Sequence, residues 1–169
     1  AALARLVDNL EDVHFYIRPC AARDVPREAL GVNEFFAALC NTHKHVMGAG
    51  YTLQGCRDAI ALAAAVAGGH EALAERPFIS LIVSWMTSPL TFDAASTEIL
   101  MDVLRQGIPV ALSAAPMAGS TAPITMAGTL VQLHAEELAG IAFAQLVRPG
   151  APVLYGGIPS MADMHDLSF

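Results

Sequence analysis

The sequence predicts an α/β protein of the (β/α)8, or TIM, barrel type, on three observations. Short β-branched or aromatic runs alternate with helical patterns along its 169 residues. Successive strands begin about 30 to 40 residues apart, which is typical of parallel strands joined by right-handed helical crossovers. Glycine, proline, hydroxyl and aromatic residues cluster in the segments that follow the predicted strands. In such a barrel the carboxyl-terminal strand ends form the active site.

Five segments are predicted as strands because they are short, apolar and rich in β-branched or aromatic residues. They are Val13–Ile17, Val46–Ala49, Phe78–Ser84, Pro109–Ser113 and Pro152–Tyr155. The third is almost continuously apolar, which is typical of a strand in a parallel sheet that is covered on both faces.

Four segments between the strands are predicted as helices because apolar residues recur at spacings of three and four. They are Val32–Asn41, Leu53–Ala67, Phe92–Arg105 and Ala127–Leu146. Gly107 and Gly150 follow two of these helices, where a C-cap glycine is expected. Pro109 and Pro152 then open the next strands.

A complete barrel takes roughly 250 residues and eight strands, whereas this sequence has 169 residues and five predicted strands. We therefore expect residues 1–169 to form a single domain, an incomplete barrel of about five βα units. The chain starts at Ala1 without an initiator methionine and shows no helix after its last strand. Both features agree with a piece of a larger protein.

Composition and charge narrow the function classes. No apolar stretch approaches the roughly 20 residues of a membrane span, and the amino terminus lacks a signal-peptide pattern, so we expect no membrane and a cytoplasmic location. The three cysteines Cys20, Cys40 and Cys56 are odd in number, which predicts reduced thiols. The net charge of −7 argues against a nucleic-acid partner and is compatible with a basic protein or a cationic small molecule.

Nucleotide and metal motifs are weak. Neither GxGxxG nor GxxxxGK[ST] occurs after a strand, so the sequence does not predict a phosphate site. Cys40, His43 and His45 lie close together and could bind zinc, but the ligand set is not closed, and a structural role is the favoured interpretation. His14 and His165 each follow an aspartate as in the DxHxxG cobalt-ligand motif of corrinoid proteins, but the motif's glycine is missing from both.

Aromatic side chains stand at several predicted strand ends. Trp85 is the single tryptophan and follows an apolar strand, with Tyr51 and Tyr155 at two other strand ends. A tryptophan there either packs into the core or forms a cation–π wall for a quaternary ammonium ion. The sequence leaves both interpretations open.

Polar residues in and before the last predicted helix have two interpretations as well. Glu136 and Glu137 suggest acid–base chemistry, although we expect at least one of them to face solvent. Ser120, Thr121 and Thr125 either cap the helix or contact a ligand, and capping is favoured.

One run of sequence resembles a known family. PMAGSTAPITMAGTLVQLHAEELAG, from Pro116 to Gly140, followed by QLVRPGAPVLYGGIPSMADM, is similar to the trimethylamine methyltransferase family. The upstream SWMTSPL, and THKH before a strand, fit the same layout. The similarity covers most of the chain and is densest from Phe78 to Met164.

The resemblance implies a TIM-barrel enzyme that moves a methyl group from a methylated amine to cobalt. The substrate would be trimethylamine or a quaternary amine such as glycine betaine, and the corrinoid (cobalamin) would be carried by a separate partner protein, with no metal bound by this chain. Founding members use pyrrolysine to activate trimethylamine, and none occurs in these 169 residues. A betaine-type homologue, assembled as a homo-oligomer, is the expectation.

The resemblance also places the substrate among residues at strand ends, without assigning a catalytic residue. These substrate-binding candidates are Trp85, Ser88, Met117, Thr121, Tyr155 and Asp163. Asp163 would balance the charge of the substrate cation, or else cap the following turn. Two alternatives stay open: an inactive barrel fragment that only self-associates through exposed sheet edges, and a zinc-dependent TIM-barrel methyltransferase that uses Cys40, His43 and His45.

Overall fold

The structure is a computed structural model that describes residues 1–19, 22 and 24–161. Cys20 and Asp163 lie outside the described residues. The described strands are β1 (Phe15–Ile17), β2 (His45–Ala49), β3 (Ile79–Val83), β4 (Met86–Thr87), β5 (Thr91–Phe92), β6 (Val110–Leu112), β7 (Met117–Ala118), β8 (Val153–Tyr155) and β9 (Ser160–Met161). The described helices are α1 (Ala2–Asp8), α2 (Arg27–Leu39), α3 (Leu53–Ala67), α4 (His70–Glu75), α5 (Ala94–Arg105) and α6 (Met126–Val147).

All five predicted strands form one sheet. Its strands are all parallel and run in the order β1-β2-β3-β6-β8. The order follows the sequence in one direction, whereas a doubly wound sheet reverses at a switch point. Within the described residues β1 and β8 are the two edges and do not pair with each other, so the sheet is open and the barrel stays a prediction.

The predicted helices are confirmed, with caps that explain where they begin. Thr52 Oγ1 accepts a hydrogen bond from Gly55 N at 3.0 Å, and Thr125 Oγ1 accepts one from Gly128 N at 3.2 Å. These bonds satisfy backbone donors that have no partner inside the helix. Gly107 has φ of 82° just after α5, a left-handed conformation that favours glycine.

Short elements were not predicted. Helices α1 and α4 have 7 and 6 residues, which is too short for a clear helical period. Strands β4 and β5 form a small antiparallel hairpin, and β7 and β9 form a small parallel pair. These two small sheets lie in the segments that follow β3, β6 and β8, so they shape the end of the main sheet that is expected to be functional.

The core lies between the main sheet and its helices. Side chains on the helix-facing side of the sheet are almost fully buried, namely Val46, Ile79, Leu81, Val83, Val110 and Leu112. Complete burial of one such side chain stabilises a fold by roughly 1.5–3 kcal/mol. On the opposite face the edge-strand residues Phe15, Ile17 and Leu154 are exposed. Coverage of both faces, as predicted from the sequence, is therefore not seen at the edges of the described sheet.

None of the described helices is both long enough and apolar enough to cross a bilayer.

Candidate active site

Three uncharged segments follow neighbouring strands at the carboxyl-terminal edge of the sheet. Residues 84–92 follow β3, residues 113–125 follow β6 and residues 156–161 follow β8. None of the three contains Asp, Glu, Lys, Arg or His, although the chain has a net charge of −7. In open parallel sheets and in barrels alike, ligands bind outside the carboxyl ends of the strands. This edge is therefore the candidate site.

Glu136 anchors the first of these segments from inside α6. Its side chain is fully buried, at 0% exposure. Oε2 accepts a hydrogen bond from Ser88 Oγ at 2.8 Å, and Oε1 accepts one from Leu90 N at 2.9 Å. Leu90 has φ of 52°, which non-glycine residues seldom adopt. A buried carboxylate that accepts bonds from both a side chain and the backbone holds this unusual turn in one shape.

Gln132 connects this anchor to the second segment. Its Nε2 donates to Glu136 Oε1 at 3.0 Å and to Thr121 O at 2.7 Å. Ser88 and Thr121 therefore belong to one hydrogen-bond network, although 33 positions separate them in the sequence. The spacing of Gln132 and Glu136 places both on one side of the helix.

The second segment is itself tightly folded. Met117 N donates to Thr121 Oγ1 at 2.8 Å, while Met117 O accepts bonds from the N–H groups of Ser120, Thr121 and Ala122 at 2.9–3.1 Å. Thr121 thus fixes the loop and does not cap α6, whereas Thr125 does cap it. The structure brings together three predicted site residues: Ser88, Met117 and Thr121.

Glu137 anchors the exits of two further strands. It is fully buried, and its Oε1 accepts a hydrogen bond from Ala114 N at 2.9 Å, just after β6. Burial raises the pKa of the Glu137 carboxyl, and the backbone N–H groups of Ala114 and Gly156 oppose this by favouring the charged form. The expectation that at least one of the two glutamates faces solvent is wrong, because both lie in the core.

Trp85 lies beneath the candidate site and not on its surface. The ring has 0% exposure and packs against α6, where a Cβ on Gly140 would lie 2.7 Å from Trp85 Cε2. This position matches the core interpretation of the sequence. Direct cation–π contact between Trp85 and a ligand stays a prediction.

Two tyrosines at strand ends already have partners. Tyr155 is half exposed, and its hydroxyl lies 3.1 Å from His134 Nδ1 on α6, away from the Ser88 network. Arg18 places its guanidinium 4.6 Å from the centre of the Tyr51 ring and donates to Glu34 Oε1 at 2.6 Å. Arg18 therefore already makes a cation–π contact with Tyr51. Asp163, the remaining candidate, lies outside the described residues.

The proposed zinc ligands do not converge. Among the described residues no group of three or more His, Cys, Asp or Glu side chains is arranged to bind a metal ion. His43 instead bonds to Asp8, which accepts from His43 N at 2.7 Å and from Thr42 Oγ1 at 2.8 Å. These bonds, led by the His43 backbone N–H, lower the pKa of Asp8 to about 2. His45 pairs with Ser80 Oγ at 2.8 Å on the sheet.

Sequence comparison assigns the chain to a family. Residues 1–166 match the family described as Trimethylamine methyltransferase (MTTB). The chain belongs to this family. It is 35% identical over 168 residues to "Trimethylamine methyltransferase MttB" of Desulfitobacterium hafniense (strain DSM 10664 / DCB-2), which covers 99% of this chain and 34% of that protein.

Two further relatives differ in their named substrate. "Glycine betaine methyltransferase" of Desulfitobacterium hafniense (strain Y51) is 33% identical over 142 residues, which cover 84% of this chain and 29% of that protein. "Trimethylamine methyltransferase MttB" of Methanosarcina barkeri is 34% identical over 168 residues, 97% of this chain and 33% of that protein. The chain thus spans about a third of the length of these members of the trimethylamine methyltransferase family.

Sequence reasoning missed the anchoring role of the two glutamates, although a signal was present. In the 22 residues of α6 they are the only Asp, Glu, Lys or Arg residues. Charged residues in an otherwise apolar helix are expected to face solvent, but here the whole helix is apolar, so periodicity could not orient it. Within this member of the trimethylamine methyltransferase family, the charged side of α6 faces the sheet.

Proposed function

We propose that this chain is part of an enzyme that moves a methyl group from a methylated amine to the cobalt of a corrinoid protein. The methylated amine would be trimethylamine or a quaternary amine such as glycine betaine. Family membership over residues 1–166 supports the reaction class, and relatives named for both substrates support the substrate class. The proposed location of the site rests on one observation. Glu136 and Gln132 join Ser88 to Thr121 in a hydrogen-bond network at the strand ends.

The proposed role of these residues is to position the amine and exclude water. Ser88, Met117 and Thr121 would contact the methyl donor, while Trp85 supports their loops from the core. Asp163 and Tyr155 stay as proposed contacts at neighbouring strand ends. A quaternary nitrogen would leave with the electron pair of the broken C–N bond as a neutral tertiary amine, so that substrate requires no proton donor. Trimethylamine would have to carry a proton on nitrogen, so that it leaves as neutral dimethylamine. Fixed positioning and desolvation can then supply most of the acceleration.

The proposed acceptor belongs to a partner protein that would dock where the three uncharged segments meet the solvent. Leu90, Ile124 and Ile158 are all exposed, one on each uncharged segment. These exposed apolar side chains would suit contact with the broad apolar face of a corrinoid ring. Cobalt(I) of the bound partner would supply the nucleophile, and this chain would present the methyl group to it.

Methyl transfer itself tests the proposal. We expect the complete gene product containing these 169 residues to convert reduced free cobalamin to methylcobalamin with glycine betaine or trimethylamine, followed by cobalt absorbance. Ser88→Ala should lower kcat/KM by about tenfold, since the loop loses its bond to Glu136 and a small displacement of a reactive site is costly. Thr87→Ala, an exposed neighbour in β4, is the matched control and should change little.

The outcomes separate the alternatives. Transfer by the 169-residue chain alone would refute the inactive-fragment alternative. Transfer that disappears on removal of zinc would favour the zinc-dependent alternative. Absence of transfer from either amine by the complete gene product, with reduced cobalamin or a corrinoid protein as acceptor, would overturn the proposed function.

A further inference from the structure

Glu136 is a buried carboxylate without a cationic partner. Its side chain has 0% exposure, so the folded chain encloses it completely. Within the part of the chain that the structure describes, it takes part in no salt bridge, and α6 contains no Lys or Arg. Glu side chains are almost never fully buried unless they are paired, because a charge inside a protein is costly to bury. Support of a loop does not by itself explain this charge, since the neutral amide of a glutamine also accepts hydrogen bonds.

The hydrogen bonds of Glu136 are those of a charged carboxylate. Ser88 Oγ, Leu90 N and Gln132 Nε2 all donate to it, at 2.8, 2.9 and 3.0 Å. An ionised carboxyl only accepts hydrogen bonds, and all three partners of Glu136 are donors. The negative charge therefore lies one hydrogen bond behind the hydroxyl of Ser88.

The adjacent Glu137 has a different environment. Its Oε1 accepts a hydrogen bond from Ala114 N at 2.9 Å, while its Oε2 has no hydrogen-bond partner among the described residues. Burial raises the pKa of the Glu137 carboxyl, and the negative charge of Glu136 raises it further. Neighbouring carboxyls in unequal environments separate into a charged member and a member that favours a bound proton. Glu136 is the charged member of this pair.

The hydroxyl of Ser88 connects this charge to the site. A serine hydroxyl has one hydrogen to donate and two lone pairs that accept. Ser88 donates its hydrogen to Glu136 Oε2, so only lone pairs remain for a ligand. A hydrogen bond to a charged group is stronger than one between neutral groups, and hydrogen bonds in a chain polarise one another. The Ser88 oxygen is therefore an acceptor with increased negative character.

The surroundings preserve the effect of this charge. Residues 84–92, 113–125 and 156–161 contain no Asp, Glu, Lys or Arg, and Ser88 is partly exposed on the first of these segments. Charges interact more strongly inside a protein than in water, because the interior has a lower effective dielectric constant. Salt also screens a buried charge much less than a surface charge. A cation beside Ser88 would therefore be attracted by Glu136 even at high ionic strength.

We propose that Glu136, acting through the hydroxyl of Ser88, makes the site select a cationic methyl donor over a neutral ligand of the same shape. This selectivity operates at the site of the proposed function and rests on that function. Trimethylammonium would donate its N–H to the Ser88 oxygen, whereas a quaternary ammonium would place its methyl C–H groups there. Glu136 is a positioning residue that does not touch the substrate. The selectivity does not require a cation–π contact with Trp85, whose ring is buried.

Ligand binding by the complete gene product tests the proposal. Dissociation constants for glycine betaine and for 3,3-dimethylbutanoate, in which carbon replaces the charged nitrogen, would be measured by calorimetry. Their ratio reports the preference for positive charge. Glu136→Gln keeps the shape of the side chain and removes its charge, so we expect the preference to fall by about tenfold. A merely structural role would weaken both ligands alike and leave the ratio unchanged. Trimethylamine, which is protonated at neutral pH, should also bind about tenfold more weakly to Glu136→Gln.

Glu137→Gln is the matched control, because Glu137 is adjacent to Glu136, equally buried and changed in the same way. It should leave the ratio within about twofold. A second measurement needs no substitution and decides the question even if Glu136→Gln fails to fold. In the unaltered protein the ratio should stay within about twofold between about 50 mM and about 500 mM KCl, since a buried charge is screened little.

Two kinds of failure are distinguishable. If neither glycine betaine nor trimethylamine binds, the proposed function is wrong and the selectivity by Glu136 is wrong with it. If an amine binds but the Glu136→Gln ratio is unchanged, or Glu137→Gln lowers the ratio as much, only the role of Glu136 is overturned. A ratio that disappears at high salt overturns that role as well, because the preference then comes from the chain's net charge of −7 and not from a buried group.

Discussion

Trp85→Ala is expected to lower the free energy of unfolding by about 3–5 kcal/mol, the usual cost of removing a buried aromatic ring. Trp85 has no exposed surface and fills the space beside Gly140 of α6. The neighbouring backbone belongs to a helix that cannot collapse easily into the cavity, so the loss should lie in the upper part of the range. Urea denaturation followed by circular dichroism measures it.

Phe92→Ala is the matched control for this truncation. Phe92 is also aromatic and contacts Phe143, but it is partly exposed. We expect its removal to cost less than half as much, since less apolar area returns to water. A cost below about 1 kcal/mol for Trp85→Ala would contradict the placement of this ring in the core.

Glu136→Ala is expected to lower the free energy of unfolding by about 2–3 kcal/mol, since a donor left without its partner costs roughly 1–3 kcal/mol when it is buried and less where water can reach it. Ser88 Oγ and Leu90 N both lose their acceptor, and Gln132 keeps only its bond to Thr121. The loop from Ser88 to Leu90 should become mobile. Denaturation gives the energy, and amide hydrogen exchange at Leu90 reports the loop.

Glu75→Ala serves as the control for loss of a negative charge. Glu75 is exposed at the end of α4, so its removal should change stability by no more than about 0.5 kcal/mol. If Glu136→Ala and Glu75→Ala have equal effects, or if exchange at Leu90 is unchanged, Glu136 does not anchor the loop.

The long elements could be predicted from sequence because local signals agree with the tertiary structure. For α3, Thr52 as N-cap and Gly68 as C-cap bound an apolar period, and the predicted range Leu53–Ala67 is the observed one. In contrast, α2 begins at Arg27, five residues before the predicted start at Val32, because Pro26 sets the start. The residues of its first turn are mostly polar or small, so the apolar period does not show that turn. The two-residue strands are too short to show a period, and the pairing of β7 with β9 also depends on contact between segments far apart in the sequence.

The sequence predicts which strand ends form the candidate site, but not which buried side chains hold its loops in place. The resemblance to the trimethylamine methyltransferase family pointed to Ser88, Met117 and Thr121 at strand ends, and the structure joins these three through hydrogen bonds. The outward or inward orientation of Glu136 and Glu137 could not be derived, because α6 is apolar all round. The burial of Trp85 depends on the absence of a side chain at Gly140, 55 positions later, and one sequence does not reveal that pairing.

The most direct test is where a methylated amine binds on this chain. Amide chemical-shift changes would be mapped by NMR during titration with glycine betaine, trimethylamine and 3,3-dimethylbutanoate. In 3,3-dimethylbutanoate an uncharged tert-butyl group replaces the trimethylammonium group of glycine betaine. We expect changes centred on Ser88, Met117 and Thr121, larger for glycine betaine than for 3,3-dimethylbutanoate. Changes centred elsewhere, or equal changes for both, would contradict a methylated-amine site at these strand ends.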